Sequence, residues 1–399
     1  MNKTLFDLDI DRESPFEAGT PVSPDNFKGR IDTIKKIVRY APTAQKGNVR
    51  HFFLTGKRCM GKTSLAKYVQ NYLENNIGMT GVYVSNKGNH SLKELVTSII
   101  EGFIKQIPKE GLKEKFKNIF GSVESISFKG ASISFNPDNS MKEDIIGNFP
   151  YIINDLIKEL PKGVFLVVDD INGLSESKQF VDWYKKFADT VEMDDNLNIP
   201  LYVLFAGYPE KFDELVLKEE SFGRIFHHED ISNLEDKDVE DFFIDTFSKA
   251  NLHLNQESLE ILTFFSSGLP LMMQQIGDSV FWMADEENIS KEISIKGVID
   301  AANEIGRKQI RPMLNTIRSE NYEPILLELG KLKAFKFKKS EIQKKLSKNQ
   351  QNVFKDFLSR MVELNILCSV GKKKSGQYEF NNQLYFVYFL IKSELKDLN

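Results

Sequence analysis

The chain has 399 residues, which is enough for two or three domains and a large buried core. It holds two cysteines, Cys59 and Cys368, so the composition argues against a disulfide framework and against a cysteine-based metal site. The net charge is −4, no leader sequence is recognisable, and the longest apolar run, at 384–391, is too short to span a bilayer. We therefore expect a soluble, cytoplasmic protein with no membrane contact.

Predicted elements change character along the chain. Residues 1–30 contain three prolines and predict an extended lead-in. Over 31–234, short apolar runs alternate with helical periodicity, which predicts an α/β fold with a mostly parallel sheet covered on both faces. An alternating segment near 124–136 predicts an inserted β-hairpin. The predicted strands of the sheet have the sequences HFFLT, GVYVS, FLVVD, LYVLFAG and FHHEDI.

A phosphate-binding loop follows the first predicted strand. Gly56, Gly61, Lys62 and Thr63 complete the pattern G-x-x-x-x-G-K-[ST], between a buried strand and an amphipathic helix. Lys62 is expected to reach the β and γ phosphates of ATP, and the Thr63 hydroxyl is the expected ligand of Mg²⁺. The residues predicted to hold the nucleotide here are Gly56, Lys57, Arg58, Cys59, Met60, Gly61, Lys62, Thr63 and Ser64. The alternative is a glycine turn with a solvated lysine.

Two acids end the strongly apolar third strand. Asp169 is the expected magnesium partner, and Asp170 occupies the place of the carboxylate that polarises the attacking water. The alternative is that both merely cap the helix that follows. His227 and His228 are expected to be a buried or hydrogen-bonded pair, because no acid or cysteine cluster that would make a metal site stands near them in the sequence.

The remaining sequence is helical and then basic. Residues 235–315 predict helices, and residues 316–399 predict three helices followed by two strands around a lysine-rich turn, the outline of a winged helix-turn-helix. Thirteen Lys and Arg residues against three acids between 331 and 374 give a local surplus of +10, which leaves −14 for the rest of the chain. This surplus favours duplex DNA as a partner. The DNA-binding candidates are Gln351, Lys355, Arg360, Lys372, Lys373 and Lys374.

These segments together resemble an AAA+ or STAND-type ATPase, close to the origin-recognition-like ATPases of archaea and bacteria. Phe27, Gly29 and Arg30 match the F-x-G-R lead-in, which implies packing against the adenine. The phosphate loop and the acidic pair match the Walker A and Walker B segments. The segment SSGLPLMMQQIGD, which contains Pro270, matches the G-x-P motif of a helical lid and implies a nucleotide contact. The resemblance implies a parallel-sheet ATPase core, a lid and a winged helix.

Three departures from the family pattern imply slow hydrolysis, and hence a switch more than a motor. Asp170 stands where the family has Glu, and its side chain is one methylene shorter. Gly207 and Tyr208 stand at the sensor 1 position in place of Asn or Thr. The lid has Gly268, Leu269 and Pro270 but no sensor 2 arginine.

Arg224 lies in a segment that resembles the one bearing the arginine finger. Such an arginine acts on the nucleotide of a neighbouring subunit, which implies a homo-oligomer with ATP at the subunit interfaces. The alternative is a surface arginine paired with Glu219 or Glu220.

Two classes of function remain open from the sequence. In one, ATP binding assembles the protein on duplex DNA, in a replication, transposition or genome-defence role. In the other, the chain is a nucleotide-gated signalling or scaffold ATPase whose winged helix packs on the lid or binds an effector protein. A small-molecule kinase is disfavoured, because no substrate-binding signature accompanies the loop.

Overall fold

The computed structural model describes residues 12–88, 91–108, 119, 126–129, 132–135, 137–285, 287–317, 319–370 and 376–395. Within these, the chain forms two compact units. Residues 23–57 and 61–232 form one, which we call the sheet unit. The described parts of 1–22, 58–60 and 233–399 form the other, which we call the helical unit. The predicted lid and winged helix thus belong to one unit rather than two.

The sheet unit is built on five parallel strands, as the sequence predicts. In chain order the strands of this unit are β1 (Arg50–Gly56), β2 (Thr80–Ser85), β3 (Ile126–Lys129), β4 (Ser132–Phe135), β5 (Val164–Asp169), β6 (Leu201–Gly207) and β7 (His227–Ile231). Strands β3 and β4 form the predicted antiparallel hairpin, and the other five form a sheet in the order β2-β5-β6-β1-β7. Every residue of β5 and β6 is buried, which explains their continuous apolar sequences.

The strand register places the predicted site at one edge of the sheet. Thr55 pairs with Gly207, and Asp169 pairs with Ala206, so β1, β5 and β6 end side by side. The helices of the unit are α1 (Ile31–Val38), α2 (Ala41–Gln45), α3 (Lys62–Asn76), α4 (Leu92–Gln106), α5 (Asn139–Gly147), α6 (Phe149–Lys158), α7 (Lys178–Met193), α8 (Pro209–Lys218) and α9 (Glu220–Ile225). Two 3-10 turns, Pro24–Asn26 and Ile171–Leu174, complete it. Helix α3, predicted from its apolar spacing, buries Leu65 and Val69.

A histidine in the sheet unit makes its stability depend on pH. Burial, and secondly the charges of Arg50 and His227, lower the pKa of His51 from 6.5 to about 3. Its Nδ1 lies 2.8 Å from the Tyr184 hydroxyl. In the unfolded chain this histidine is therefore protonated below about pH 6.5, whereas in the folded chain it is protonated only below about pH 3.

We expect the free energy of unfolding to fall by about 1 kcal/mol per pH unit between pH 6 and pH 4 because of this histidine. Urea unfolding at each pH measures this slope. His51→Gln should reduce the slope, while His253→Gln, at an exposed position, should leave it unchanged. Equal slopes in the two variants would contradict this assignment.

Among the described residues, the helical unit begins with 12–22, part of the predicted lead-in. The Arg12 guanidinium donates to the carbonyls of Phe281 and Ala284, at 2.7 and 2.8 Å, and the Phe16 ring packs on Phe242 and Phe247. Residues 12–22 contain no helix or strand and are held by these contacts. The elements that follow are α10 (Asp236–Ser248), β8 (His253–Leu254), α11 (Gln256–Ser266), α12 (Pro270–Met283), β9 (Asn288–Ile289), α13 (Lys291–Ile305), a π-helical segment (Gly306–Ile310) and α14 (Arg311–Leu314).

The C-terminal part of this unit combines helices with a small sheet. Its elements are α15 (Tyr322–Lys331), β10 (Lys336–Lys338), α16 (Lys339–Gln343), α17 (Lys348–Glu363), β11 (Leu367–Val370), β12 (Gln377–Phe380) and α18 (Gln383–Glu394). The sheet is antiparallel in the order β10-β12-β11. The three helices and two strands predicted for this segment are present, with β10 and α18 in addition. That the segment is a winged helix-turn-helix stays a prediction.

Two further findings concern β10, which the sequence did not predict, and the apolar run at 384–391. Strand β10 is three residues long with Phe337 alone buried, too short for a recognisable alternation. The apolar run at 384–391 lies in α18, which packs on α15 and α13, and Lys392 donates to Asn303 at 3.0 Å. Among the described residues, no helix has both the length and the apolar character needed to cross a membrane.

Candidate functional site

The phosphate loop connects the end of β1 to the start of α3. Gly61 caps the helix with a left-handed φ of 82°, and Cys59 adopts a φ of 68°. These two left-handed residues reverse the chain so that the first N–H groups of α3 face the loop. Because α3 is 15 residues long, the positive end of a full helix dipole faces the loop. This geometry fits a phosphate group.

Lys62 lies in the first turn of α3 and points back over the loop. Its Nζ donates to the carbonyls of Gly56 at 2.6 Å and Lys57 at 3.1 Å. The same ammonium lies 4.7 Å from the centroid of the Tyr208 ring. Tyr208 directly follows β6, at the position where the sequence showed no polar group for the γ-phosphate. The structure gives this residue an aromatic contact with the phosphate-binding lysine.

Thr63 and Asp169 meet across the end of the sheet. The Thr63 hydroxyl donates to Asp169 Oδ2 at 2.6 Å, and the Tyr83 hydroxyl donates to the same oxygen at 2.6 Å. Asp169 is 7% exposed. Burial, and secondly the charge and hydrogen bond of Asp169, raise the pKa of Tyr83, so Tyr83 remains a donor. Hydroxyl and carboxylate oxygens are the donor set that Mg²⁺ prefers, so Thr63 and Asp169 fit the predicted metal.

Tyr83 was missed by the sequence analysis. It lies in β2, next to β5 in the sheet, and pairs with Val167 two residues before Asp169. A tyrosine between Val82 and Val84 was the available signal.

Asp170 lies just beyond β5 with a left-handed φ of 62°. It precedes the turn Ile171–Leu174, to which its side chain makes no capping hydrogen bond. The helix of the capping alternative is α7, and its N-cap is Ser177, whose hydroxyl accepts the Phe180 N–H at 3.1 Å. The Asn172 side chain donates from Nδ2 to Asp170 Oδ1, while Asn172 Oδ1 accepts the Tyr208 N–H at 2.7 Å. Sequence analysis also missed Asn172, because its role depends on a contact with β6.

The lead-in residues Phe27, Gly29 and Arg30 lie beside α3 and β7 in the sheet unit. The Phe27 ring stacks on Tyr68 of α3, with centroids 4.9 Å apart. Gly29 and Arg30 both have left-handed φ values, and the Arg30 guanidinium donates to the Ser232 carbonyl at 2.7 Å. The structure thus attaches this segment to the helix that follows the phosphate loop. Its contact with adenine stays a prediction.

Arg224 is exposed on the short helix α9. The two acids proposed as alternative partners do not engage it in the described part of the chain, and Glu219 pairs instead with Lys185 at 3.4 Å. Neither alternative partner therefore accounts for this arginine.

The two neighbouring histidines have other contacts. His228 Nε2 lies 2.8 Å from the Thr55 hydroxyl, and His227 stacks on Tyr40 with centroids 3.9 Å apart. Across the described residues, no cluster of three or more His, Cys, Asp or Glu side chains could hold a metal. His228 is thus hydrogen-bonded, whereas His227 makes a stacking contact, and both lie at exposed positions of β7 rather than in a buried pair.

The other predicted residues lie in the helical unit or the loop. Pro270 begins α12, directly after Gly268 and Leu269. Gly268 has a φ of 65°, and a Cβ there would lie 2.2 Å from the Leu234 carbonyl oxygen, so this turn requires glycine. In the phosphate loop and first turn of α3, Met60 and Ser64 are buried, whereas Arg58 is exposed.

The DNA-binding candidates have different surroundings. Gln351 donates to the Leu346 carbonyl at 2.8 Å, and Arg360 pairs with Glu363 at 2.7 Å and with the Thr316 carbonyl at 3.3 Å. Both side chains are therefore partly engaged within the protein, while Lys355 is exposed. Lys372, Lys373 and Lys374 lie outside the described residues.

Comparisons with known proteins agree on the fold. The family model of the nephrocystin 3 N-terminal region matches residues 39–203. The Walker-type ATPase PABY2304 of Pyrococcus abyssi is 15% identical, with a TM-score of 0.57 over 94% of this chain and 99% of that one. ORC2 of Aeropyrum pernix, solved as ADPNP and ADP complexes, is 12% identical, with a TM-score of 0.53 over 93% of this chain and 96% of its own. None of the curated proteins compared matches this chain.

The fold and the sequence motifs agree. The five-stranded parallel sheet, the phosphate loop after β1 and the acidic pair after β5 have the arrangement that a P-loop nucleotide site requires. At 15% and 12% identity, the similarity to the archaeal Walker-type ATPase and to ORC2 shows a shared fold.

Proposed function

We propose that the protein is an ATP-binding switch that hydrolyses ATP slowly and binds duplex DNA through its C-terminal winged helix. The observation that carries the nucleotide part is the 2.6 Å hydrogen bond from Thr63 to Asp169, which joins the phosphate loop to the end of β5. These residues lie 106 positions apart and supply the two oxygen ligands that Mg²⁺ needs from the protein.

Each residue of this site has a separate role in the proposed reaction. The N–H groups of the loop and Lys62 bind the phosphates, Thr63 and Asp169 hold the metal, and Asp170 orients the attacking water. Mg²⁺, when bound, neutralises charge on the β and γ phosphates. The short Asp170 side chain and the absence of a polar side chain at Gly207 support slow turnover. The segment of Phe27, Gly29 and Arg30, with Pro270, is proposed to contact the base.

DNA binding is supported by the surface of α17 and the turn before it. The exposed positions of the helix include Asn349, Asn352 and Lys355, while Phe354 and Phe357 face the core. Side chains on such a face can enter a major groove. The exposed lysines of this region, here called the basic turn, are Lys344, Lys345, Lys348 and Lys355. In the described part of the chain none of the four makes an ion pair, so their charges are available to phosphates.

A second function, a nucleotide-gated scaffold that binds an effector protein, is supported by a different observation. Helix α18 packs on α13 of the lid, and the Gly306 backbone approaches the Tyr388 ring so closely that a Cβ would lie 2.7 Å from it. This packing links the winged helix to the lid, as a scaffold would require, but it leaves α17 exposed. We therefore favour DNA.

The test is retention of a labelled DNA duplex by the full chain, with ATP, with ADP and without nucleotide. We expect ATP-dependent retention that a competing duplex of unrelated sequence abolishes. If the duplex is not retained at low salt in any nucleotide state, DNA binding is excluded and the scaffold function is favoured. ATP binding without DNA retention would preserve the nucleotide part of the proposal.

Arg224 provides a test of assembly. Because its guanidinium is exposed and lacks an ion pair within the described chain, we propose that it acts on the nucleotide of a second copy. Arg224→Ala should leave ATP affinity intact and lower specific ATPase activity by about a thousandfold at high protein concentration. Lys186→Ala, at an exposed position of α7, serves as the control. A wild-type specific activity that does not rise with protein concentration would argue against an arginine supplied in trans.

A further inference from the structure

The Asn172 side chain lies between two groups that fix its orientation. The Tyr208 N–H can only donate, so the atom that it contacts at 2.7 Å must be the amide oxygen of Asn172. The amide nitrogen is then directed at Asp170 Oδ1, to which it donates. Because a carboxylate oxygen accepts hydrogen bonds, the contacts with Tyr208 and Asp170 require the same orientation of the amide.

The backbone around Asn172 makes room for this arrangement. Strands β5 and β6 are neighbours in register, so the turn after β5 lies against the end of β6. Gly207 is the last residue of β6, and a Cβ there would lie 3.1 Å from Asn172 Oδ1 and 3.1 Å from Ile171 Cγ2. A Cβ at position 207 would therefore require its neighbours Asn172 and Ile171 to move by a few tenths of an ångström. Gly207 therefore gives β6 no side chain at this position, and the amide of Asn172 from the neighbouring turn lies against it.

The same contact connects the acid to the phosphate-binding lysine. Asn172 accepts from the backbone of Tyr208, whose ring lies 4.7 Å from Lys62 Nζ. Asp170 has a left-handed φ and no other hydrogen bond that would hold its carboxylate in the described turn. The direction of this carboxylate therefore depends on the amide of Asn172.

We propose that Asn172 is a positioning residue for Asp170, holding the carboxylate toward the attacking water from a turn that the sequence does not mark as functional. This inference rests on the proposed ATPase function, in which Asp170 orients that water. Because Asn172 acts through Asp170 in this proposal, we expect it to affect turnover and not binding. A misdirected carboxylate loses the near-attack geometry that makes such a group effective.

Two variants test the role, and the first of them, Asn172→Asp, is nearly isosteric with the wild-type residue. Asn172→Asp keeps an oxygen for the Tyr208 N–H but removes the donor to Asp170, whereas Asn172→Ala removes both hydrogen bonds. Each should lower kcat by about tenfold, less than the hundredfold that a 1 Å displacement of a reacting group can cause. The Kd for ATP should stay within about twofold of wild type, because the phosphate contacts remain. Asn75→Asp, the same change at an exposed position of α3, should alter neither quantity.

Single-turnover kinetics, ATP binding and thermal unfolding are measured on the full-length variants together. A lower kcat with unchanged Kd and unchanged Tm supports positioning. A wild-type kcat in Asn172→Asp, or a loss confined to ATP affinity, overturns the inference while leaving the ATPase proposal intact. If the wild-type chain itself neither binds nor hydrolyses ATP, the proposed function fails and this inference fails with it.

Discussion

Lys62→Ala is expected to reduce ATP affinity by about a thousandfold, because it removes the one side-chain cation that the phosphate loop directs at the β and γ phosphates. Its ammonium already lies at the loop, 2.6 Å from the Gly56 carbonyl, so a short movement carries it to the nucleotide. Alanine is a good helix former, so α3 should persist. Fluorescent-nucleotide titration, with circular dichroism to verify folding, measures the change.

Asp170→Asn separates binding from turnover in the same assay. The amide has nearly the shape of the carboxylate but no longer accepts the water proton, so we expect ATP affinity close to wild type and much slower hydrolysis. Lys186→Ala, on the exposed surface of α7, controls for the loss of a lysine charge. Equal ATP affinity in Lys62→Ala and wild type would exclude the phosphate loop as the nucleotide site.

Charge reversal at the basic turn is expected to weaken duplex binding by about a hundredfold at 0.1 M salt. The variant replaces Lys344, Lys345 and Lys348 with glutamate, leaving Lys355 on the face of α17. If each of the four lysines neutralises one phosphate, log affinity should fall against log salt with a slope of about −3.6 in wild type and about −0.9 in the variant. All DNA sequences should be affected alike, because phosphate contacts carry no sequence information directly.

A control with the same change of net charge isolates the position of these lysines. Lys46, Lys186 and Lys237 are exposed in other parts of the protein, and their replacement with glutamate should leave the slope unchanged. Equal slopes in wild type and the basic-turn variant would remove DNA binding through this surface. Wing variants at Lys372, Lys373 and Lys374 would show whether these residues, placed on DNA by sequence alone, add to the slope.

Short-range sequence patterns predicted much of this protein. Strands β1, β2, β5 and β6 follow from local apolar runs, and the phosphate loop follows from eight consecutive residues between a strand and a helix. The motifs also named Thr63 and Asp169, which the structure brings together at 2.6 Å, while their binding of a metal stays a prediction. These predictions succeed because their physical causes, side-chain periodicity and backbone conformation, act within a few residues.

The basic C-terminal segment shows what amino-acid composition cannot predict. Counting charges identified a basic segment, but the count could not show that Arg360 pairs with Glu363 and with the Thr316 carbonyl. It also could not show that α18 packs on the lid, since that depends on which faces of two distant helices meet.

The sequence by itself determined the class of fold, the phosphate loop and the acidic pair, because each is encoded in contiguous residues. The tertiary structure decided the surroundings of those residues. Tyr83 reaches Asp169 from 86 positions away, and Tyr208 fixes Asn172 from 36 positions away. Such hydrogen bonds require a distance near 3 Å and a particular direction, which only the packed sheet imposes on residues so far apart in the chain.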